Sequence, residues 1–415
     1  MDYSRRRFVR STLKVACATS TGALFGCGQI GSEAFGDVTV NRAERTSPIL
    51  EPTPVSPQPS VPANVVTETI FFQSSIDPVS FPNIRMIVTY RSDHMAYRGP
   101  LPILFLGHGT NQIAAQFPTE ALRRYADRGF FVVTLEMRFA SSWAPGMGYD
   151  AMGRDSQGRM TRDVIDALWT LRKRFGNKLE FGNRTYAGYS GSEAFALAMK
   201  APWAFDLIVA YFCIPEYRAH RAFGGTVQVA AQTPGGYASR NALIGVPRNR
   251  RSGHLIVAWD TQDEHVSPAS QQQMVDELTQ RNQTPFAFKR TSPADAIRVI
   301  HGIPAASVVN FAGIEDDWLQ SALSGHHTAG RAPARGTDLY IGGYIWIGDP
   351  MAADTPLVML GDGATAGQQH SANLSYDLNA RSFDITPLNG PTSVTIGWRG
   401  SIATRVLTER AVVTL

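Results

Sequence analysis

The chain has 415 residues, 43% of them hydrophobic and 18% charged, which is typical of a protein that buries a large core. This length allows two domains once an N-terminal segment is set aside. The formal net charge is +4, but five positive side chains lie within the first 14 residues, so the rest of the chain is close to neutral. The charge therefore excludes a broad basic surface, and no nucleic-acid partner is expected.

Residues 1–27 have the pattern of an export signal. Residues 4–10 read Ser-Arg-Arg-Arg-Phe-Val-Arg and resemble the twin-arginine signal. The apolar stretch that follows, residues 11–26, is too short and too interrupted for a stable membrane-spanning helix. It leads into a Leu-Phe-Gly-Cys sequence that resembles a bacterial lipobox with Cys27 as the lipidated residue, whereas Cys17 has almost no apolar stretch before it. The resemblance implies a bacterial lipoprotein, periplasmic or on the cell surface, that is exported by the twin-arginine route and anchored to the membrane at Cys27. The alternative is a plain secretory signal with an incidental cysteine.

Residues 28–64 contain six prolines, with serine and threonine between them and no apolar periodicity. Such a composition buries too little surface to offset chain entropy, and proline keeps the chain extended. We predict a disordered tether that ends where a catalytic domain, residues 65–332, begins.

The catalytic domain alternates between strand and helix patterns. Apolar runs predict strands at residues 69–73, 85–90, 101–106, 130–135, 184–189, 207–213, 254–259 and 286–289. Helical spacing predicts helices at residues 118–128, from an N-cap at Thr161 to just before Gly176, at 193–199, and from Pro268 onward. This alternation predicts an α/β fold with a mostly parallel sheet and helices on both faces.

Cys213 is the only cysteine after the tether, so no intramolecular disulfide is expected in the folded part. It follows an apolar run and is predicted to be a buried small hydrophobic residue in a strand.

The strongest motif is the turn Gly188-Tyr189-Ser190-Gly191-Ser192, between a predicted strand and a predicted helix. It matches the pattern G-x-S-x-G except that Ser192 replaces the final glycine. Small residues at both ends let the backbone bend sharply enough to present Ser190 at the end of the strand. The motif resembles the nucleophile elbow of the α/β-hydrolases, close to the dienelactone-hydrolase, carboxylesterase and prolyl-oligopeptidase-like branches. The resemblance implies that Ser190 is the nucleophile.

In this family an acid and then a histidine follow the nucleophile along the chain. Residues 260–268 read Asp-Thr-Gln-Asp-Glu-His-Val-Ser-Pro and resemble the family's acid loop. The resemblance implies Asp263 as the catalytic acid, with Asp260 as the alternative. Otherwise each is a solvated loop carboxylate or a helix cap.

The catalytic base implied by the resemblance is His326, in a Gly-His-His loop like the one that presents the catalytic imidazole in this family. His301 lies at a more usual distance after the acid, and His327 adjoins His326, so both remain alternatives. No metal is expected at the histidine pair, because neighbouring residues rarely point at one ion and no further ligands accompany them. No cofactor is expected.

Residues 107–110 read Gly-His-Gly-Thr and resemble the family's oxyanion turn. The resemblance implies that the backbone N–H groups of Gly191 and Thr110 form the oxyanion hole. Such fixed donors stabilise the developing negative charge by about 3 kcal/mol each. His108 is expected to be a structural histidine bonded to a loop carbonyl.

Some 40 residues separate Cys213 from the acid strand, and in this fold that position often forms a lid over the pocket. The basic residues of this segment, Arg248, Arg250 and Arg251, are consistent with an anionic substrate or with a solvated loop.

After about residue 333 the helical period disappears. Short strand-like runs at residues 339–341, 344–347, 357–360, 382–385 and 394–398 are broken by Asp, Gly, Asn and Pro. We predict a small antiparallel β-sandwich domain over residues 333–415. It either binds a polymer or the cell surface, or packs over the pocket as a structural module.

These residues together predict a cofactor-free serine hydrolase that cleaves a carboxylic ester, in a small or polymeric substrate, through an acyl-enzyme. A peptidase or a polymer depolymerase would use the same residues. The alternative from another class is a surface-tethered binding protein on a degenerate hydrolase scaffold.

Overall fold

The computed structural model describes residues 64–415, apart from residues 77, 110–113, 118, 138–158, 216–220, 223–224, 227–240, 250–254, 264–265, 282–285, 291–331 and 362–369. The predicted export signal, nearly all of the tether, Thr110 and the three candidate base histidines lie outside the described residues.

An eight-stranded sheet forms the frame of the first domain. The strands of this part of the chain are β1 (Val65–Phe72), β2 (Ile84–Arg91), β3 (Leu101–Gly107), β4 (Phe131–Leu135), β5 (Leu179–Tyr189), β6 (Leu207–Tyr211), β7 (Arg221–Ala222), β8 (Gly225–Thr226), β9 (Leu255–Asp260) and β10 (Phe286–Arg290). β7 and β8 form a separate pair, and the other strands are ordered β1-β2-β4-β3-β5-β6-β9-β10. β2 pairs antiparallel with β1 and β4, and all remaining neighbours in the sheet are parallel. The mostly parallel sheet is therefore confirmed.

Helices cover both faces of this sheet, so its central strands are buried on both sides. Every residue of β3, β4, β6 and β9 is buried. The helices are α1 (Ser92–Tyr97), α2 (Thr119–Asp127), α3 (Arg159–Phe175), α4 (Ala194–Lys200), α5 (Ala242–Asn249) and α6 (Pro268–Gln280). Side chains of α3 to α6 join the core on one face, and those of α2 join the core on the other. None of the helices in the described ranges is long and apolar enough to cross a bilayer.

Glycines end two of the predicted helices, as the sequence indicates. Gly129 follows α2 with a φ of 106°, and Gly176 follows α3 with a φ of 56°. Positive φ favours glycine, which has no Cβ to clash with the backbone. The predicted N-cap at Thr161 is wrong, because α3 already begins at Arg159. The Thr161 hydroxyl instead donates to the Glu193 carboxylate at 2.8 Å.

The C-terminal domain is a sandwich of two four-stranded antiparallel sheets, which confirms the predicted class. Its strands are β11 (Arg335–Gly342), β12 (Tyr344–Trp346), β13 (Leu357–Leu360), β14 (Ser371–Asp377), β15 (Ser382–Pro387), β16 (Thr392–Trp398), β17 (Ser401–Leu407) and β18 (Ala411–Thr414). One sheet has the order β11-β14-β15-β18 and the other β12-β13-β16-β17. β14, β17 and β18 were not predicted, because β14 and β17 contain no continuous apolar run like those that predict the central strands of the first domain, and most residues of β17 and β18 are not buried.

Buried charges of the first domain find their partners in the sandwich. Arg184 of β5 forms a bidentate ion pair with Asp349, with both N–O distances at 2.9 Å. Lys200, the last residue of α4, is fully buried and donates to the Gly342 carbonyl. Its Nζ lies 4.8 Å from the centre of the Tyr344 ring. Because an unpaired buried charge is strongly destabilising, these contacts make the sandwich part of the same folding unit.

The side chain of Asn249, at the end of α5, joins both domains. Its Nδ2 donates to the carbonyls of Met199 and Tyr340, each at 2.7 Å, and its Oδ1 accepts the Tyr340 N–H at 2.8 Å. We call these three bonds the Asn249 clamp. α4 and α5 run from the carboxyl edge of the sheet back to its amino edge, so the clamp lies at the edge opposite Ser190. The clamp therefore does not place the sandwich over the nucleophile.

Arg248 also contacts the sandwich. Its guanidinium donates to Asn373 Oδ1 at 2.5 Å and lies 3.7 Å from the Asp338 carboxylate. The interpretation of Arg248 as a solvated loop residue is therefore wrong, since it lies in α5 and contacts the sandwich. Arg250 and Arg251 lie outside the described residues.

Asn249→Ala should lower the free energy of unfolding by about 3 kcal/mol, because it leaves three buried backbone groups without their partner. Urea unfolding followed by circular dichroism measures the change. Asn379→Ala, at an exposed turn, is the matched control and should change stability by less than about 0.5 kcal/mol. An equally small effect of Asn249→Ala would contradict the importance of the clamp.

Candidate active site

Ser190 lies on a sharp turn between β5 and α4. Its φ is 51°, a left-handed conformation that costs a non-glycine residue about 1–3 kcal/mol. The Ser190 N–H donates to the Tyr211 carbonyl at 3.0 Å, and the Ile214 N–H donates to the Ser190 carbonyl at 3.1 Å. Ser190 is partly exposed, whereas Tyr189 and Gly191 on either side are buried. The turn therefore presents this one serine at the carboxyl edge of the sheet.

Ser192 fits in place of the usual glycine because the opposite residue, Gly188, has no side chain. A Cβ at Gly188 would overlap the Ser192 hydroxyl and come within 2.9 Å of the Tyr186 ring. The Ser192 Oγ lies 3.4 Å from the Cys213 Sγ, and the Cys213 thiol donates to the Gly188 carbonyl at 3.3 Å. Serine at position 192 and glycine at position 188 are thus matched to each other.

The strand order and this turn together determine the fold. The sheet is mostly parallel and carries helices on both faces. Between one of its central strands and the next helix lies a strained serine, which is the geometry of a nucleophile elbow. The fold is that of an α/β-hydrolase.

Both candidate acids lie at the same edge of the α/β-hydrolase sheet as Ser190. Asp260 is the last residue of β9 and is fully buried, and its Oδ1 accepts the Gln262 N–H at 2.9 Å. Asp263 lies in the following turn, is 8% exposed, and accepts the Val266 N–H on Oδ1 at 3.0 Å. β9 is two strands from β5, a separation of about 10 Å at a strand spacing of about 4.8 Å. An imidazole ring fits between a serine and a carboxylate at this separation.

The three candidate bases, His326, His301 and His327, lie outside the described residues. The predicted last strand is confirmed as β10, which pairs parallel with β9 and places Arg290 beside Asp260. The chain therefore leaves β10 at the carboxyl edge of the sheet, next to the candidate acids. All three histidines follow from this point.

The two predicted oxyanion donors follow β3 and β5 in the sequence, and these strands are neighbours in the sheet. Within the described part of the chain, no hydrogen bond occupies the N–H of Gly191. Thr110 lies outside the described residues, and Gly107, three residues before it, pairs with Gly188. The end of β3 thus lies beside the strand that leads to Ser190.

His108 is a structural histidine, as predicted. Its ring is fully buried, its Nδ1–H donates to the Gly109 carbonyl at 2.8 Å, and its Nε2 accepts the Met137 N–H at 3.0 Å. Burial lowers the pKa of His108, so the neutral ring is favoured.

Glu193, three residues after Ser190, was not predicted to be a site residue. Its side chain is fully buried and accepts the Thr161 hydroxyl, and its N–H donates to the Tyr186 hydroxyl at 3.3 Å. A glutamate at the start of a helix is usually an exposed residue, so only its position next to the elbow could have identified it.

Cys213 is buried, as predicted, but it lies two residues beyond the end of β6 rather than within the strand. Burial raises the pKa of the Cys213 thiol to about 12, so the sulfur stays protonated beneath the elbow. Among the described residues, no group of three or more His, Cys, Asp or Glu side chains is placed to hold a metal ion.

No family model and no curated protein matches the chain. Three solved structures similar to it are an acylaminoacyl peptidase from Pyrococcus horikoshii, an esterase from Pyrococcus furiosus, and an α/β hydrolase from a deep-sea metagenome library. The peptidase is 11% identical, with a TM-score of 0.45, over 56% of this chain and 38% of its own. The esterase is 11% identical, with a TM-score of 0.42, over 64% of this chain and 94% of its own. The metagenome enzyme is 12% identical, with a TM-score of 0.42, over 63% of this chain and 98% of its own.

This chain spans 38% of the length of that peptidase and 37% of the length of oligopeptidase B from Leishmania major. One fold is shared by proteins with different activities, so the activity has to be inferred from the site residues.

Lowering the pH below about 6.5 should destabilise the protein through His108. The pKa of this histidine is near 6.5 in the unfolded chain and lower in the folded protein, so the unfolded state binds more protons. The contribution of His108 to the free energy of unfolding is therefore complete above about pH 6.5. Below that pH it falls by up to about 1.4 kcal/mol per pH unit.

His108→Gln keeps a donor and an acceptor but cannot titrate, so it should lose less stability between pH 7 and pH 5 than the wild type. Urea unfolding at pH 7, 6 and 5 measures both slopes. His94, whose pKa burial also lowers, contributes equally to the two proteins. Identical slopes would show that His108 does not contribute.

Proposed function

We propose that this chain is a serine hydrolase that cleaves carboxylic esters through an acyl-enzyme, with Ser190 as the nucleophile. The observation that carries this proposal is the positive φ of Ser190 at the carboxyl edge of the sheet. Backbone strain of this kind costs about 1–3 kcal/mol and is concentrated at functional sites. A binding protein on a degenerate scaffold would gain nothing from keeping the serine strained.

In the proposed reaction, a histidine accepts the proton of the Ser190 hydroxyl while Oγ attacks the ester carbonyl carbon. The oxyanion of the tetrahedral intermediate accepts hydrogen bonds from the N–H groups of Gly191 and Thr110. Collapse of this intermediate expels the alcohol, which takes the proton from the histidine, and leaves Ser190 acylated. The same histidine then deprotonates water, which attacks the acyl group and releases the carboxylic acid.

Asp263 is the proposed acid that orients the histidine and stabilises its protonated form. It lies in the turn beyond β9, where the Val266 N–H fixes the orientation of its carboxylate. Asp260 is the alternative, and its complete burial at the end of the strand makes it the less accessible of the two.

His326 is the proposed base, with His301 and His327 as alternatives. Even the shortest connecting segment, from Arg290 to His301, spans up to about 36 Å when extended, so chain length excludes none of them.

Ser190→Ala should lower kcat for p-nitrophenyl acetate and butyrate by at least about 10³-fold in the full chain, because the acyl-enzyme cannot form. Only one of the variants His326→Ala, His301→Ala and His327→Ala should show as large a loss of kcat, and this variant identifies the base. Spectrophotometric assay of all four variants beside the wild type makes the measurement. Similar losses in two or three of the histidine variants would contradict the assignment of a single base.

Asp263→Asn should lower kcat by about 10³- to 10⁴-fold, and Asp260→Asn, as the matched control, by much less. The reverse order would make Asp260 the acid. A chain that hydrolyses peptide p-nitroanilides but no ester would be a peptidase that uses the same residues. A folded wild type that is inactive on both substrate classes would contradict the proposal and favour a binding protein.

We also propose that the chain is exported by the twin-arginine route and anchored to the membrane by lipid on Cys27. The motifs in residues 1–27 support this proposal. Stable anchoring requires more than one acyl chain or a second membrane signal, and a lipidated N-terminal cysteine provides several chains on one residue.

Cys27→Ser should move the protein from the membrane fraction to the soluble fraction of a bacterial expression host, because the acylated residue is lost. Cys17→Ser is the matched control and should remain in the membrane fraction. Cell fractionation with immunoblotting measures both. Retention of Cys27→Ser in the membrane would contradict lipidation at this residue.

A further inference from the structure

Tyr186 lies directly beneath the nucleophile elbow. It belongs to β5, four residues before Ser190, and its side chain is almost completely buried. A Cβ at Gly188 would come within 2.9 Å of the Tyr186 Cε1. A Cβ at Gly107 would come within 2.8 Å of the Tyr186 Cζ and would overlap its hydroxyl. The ring therefore fills the space beneath the ends of both β3 and β5, which only glycines at these two positions leave open.

The Tyr186 hydroxyl bonds to the first turn of the elbow. It accepts the Glu193 N–H at 3.3 Å. A Cβ at Gly107 would meet both this hydroxyl and the Ser192 Cβ, so the hydroxyl and the Ser192 side chain lie side by side. Burial raises the pKa of Tyr186 well above its ordinary value, so the hydroxyl keeps its proton. On its other side, the same hydroxyl abuts Gly107, the last residue before the turn of residues 108–110.

Both neighbours of the hydroxyl, Glu193 and Ser192, are themselves fixed. The Glu193 carboxylate accepts the Thr161 hydroxyl from α3 at 2.8 Å, and the Ser192 Oγ lies 3.4 Å from the Cys213 Sγ. The phenol is therefore a rigid spacer between two backbone segments rather than a mobile side chain in a cavity.

We propose that Tyr186 is a positioning residue that fixes the elbow turn carrying the N–H of Gly191, one of the proposed oxyanion donors. This inference rests on the proposed function, since it assumes that the Gly191 N–H binds an oxyanion. Such donors must lie about 3 Å from the place that the oxyanion occupies. A displacement of about 1 Å can cost about 100-fold in rate. Tyr186 acts through the backbone and does not touch the substrate.

Tyr186→Phe keeps the ring and removes the hydroxyl. We expect kcat for p-nitrophenyl butyrate to fall about 10- to 100-fold while KM stays within about threefold, because the interaction is made in the transition state. We also expect the inhibition constant of butylboronic acid to rise by the same factor as kcat/KM falls. Its tetrahedral adduct on Ser190 places an oxygen in the oxyanion hole, so a purely structural effect of the variant would not produce this correlation.

Tyr125→Phe is the matched control, because Tyr125 is equally buried but lies on α2, in the core on the opposite face of the sheet. It should keep kcat and boronate affinity within about twofold of the wild type. If Tyr186→Phe does not fold, Ser192→Ala makes the same test, because it removes the side-chain oxygen packed beside the Tyr186 hydroxyl and should give a smaller, parallel loss of kcat and boronate affinity.

An active wild type whose Tyr186→Phe variant keeps its kcat, or loses kcat with unchanged boronate affinity, would overturn the positioning role and leave the proposed function intact. A wild type without esterase activity would overturn both.

Discussion

A serine with a φ of 51° keeps this conformation only when its surroundings prevent it from relaxing. Here both backbone groups of Ser190 are bonded to residues at the end of β6, the N–H to Tyr211 and the carbonyl to Ile214. The strain at Ser190 therefore depends on β5 and β6 staying in register within a buried parallel sheet. Because the elbow continues directly into α4, the position of that short, fully buried helix depends on the same register.

The C-terminal sandwich supports the other end of these elements. Lys200 ends α4 with its charge buried against the sandwich, and Arg184, in the strand that leads to Ser190, pairs with Asp349. The aromatic residues Tyr344 and Trp346 of the sandwich belong to the same buried cluster as the helices. The sandwich is therefore a structural part of the same folding unit, and its polar contacts hold the elements of the elbow from the edge of the sheet opposite Ser190.

Local sequence signals were sufficient for the frame and for the sharp turn at Ser190. Buried apolar runs predict the central strands, and small residues around Ser190 predict the sharp turn. Local sequence patterns do not predict the role of a residue whose contacts are distant in the sequence. Arg248 bonds to Asn373, which lies 125 residues away in the sequence. Thr161 and Glu193 are residue types common at helix starts, but here their side chains bond to each other. β17 was missed because an exposed edge strand needs no buried alternation.

The most direct test of the central claim is covalent labelling of the folded full chain with a fluorophosphonate probe, followed by peptide mapping. An activated serine attacks phosphorus and expels fluoride, whereas an ordinary turn serine does not react. We expect near-stoichiometric labelling at Ser190 and none in Ser190→Ala. A folded wild type that remains unlabelled, or is labelled at another residue, would show that Ser190 is not the nucleophile.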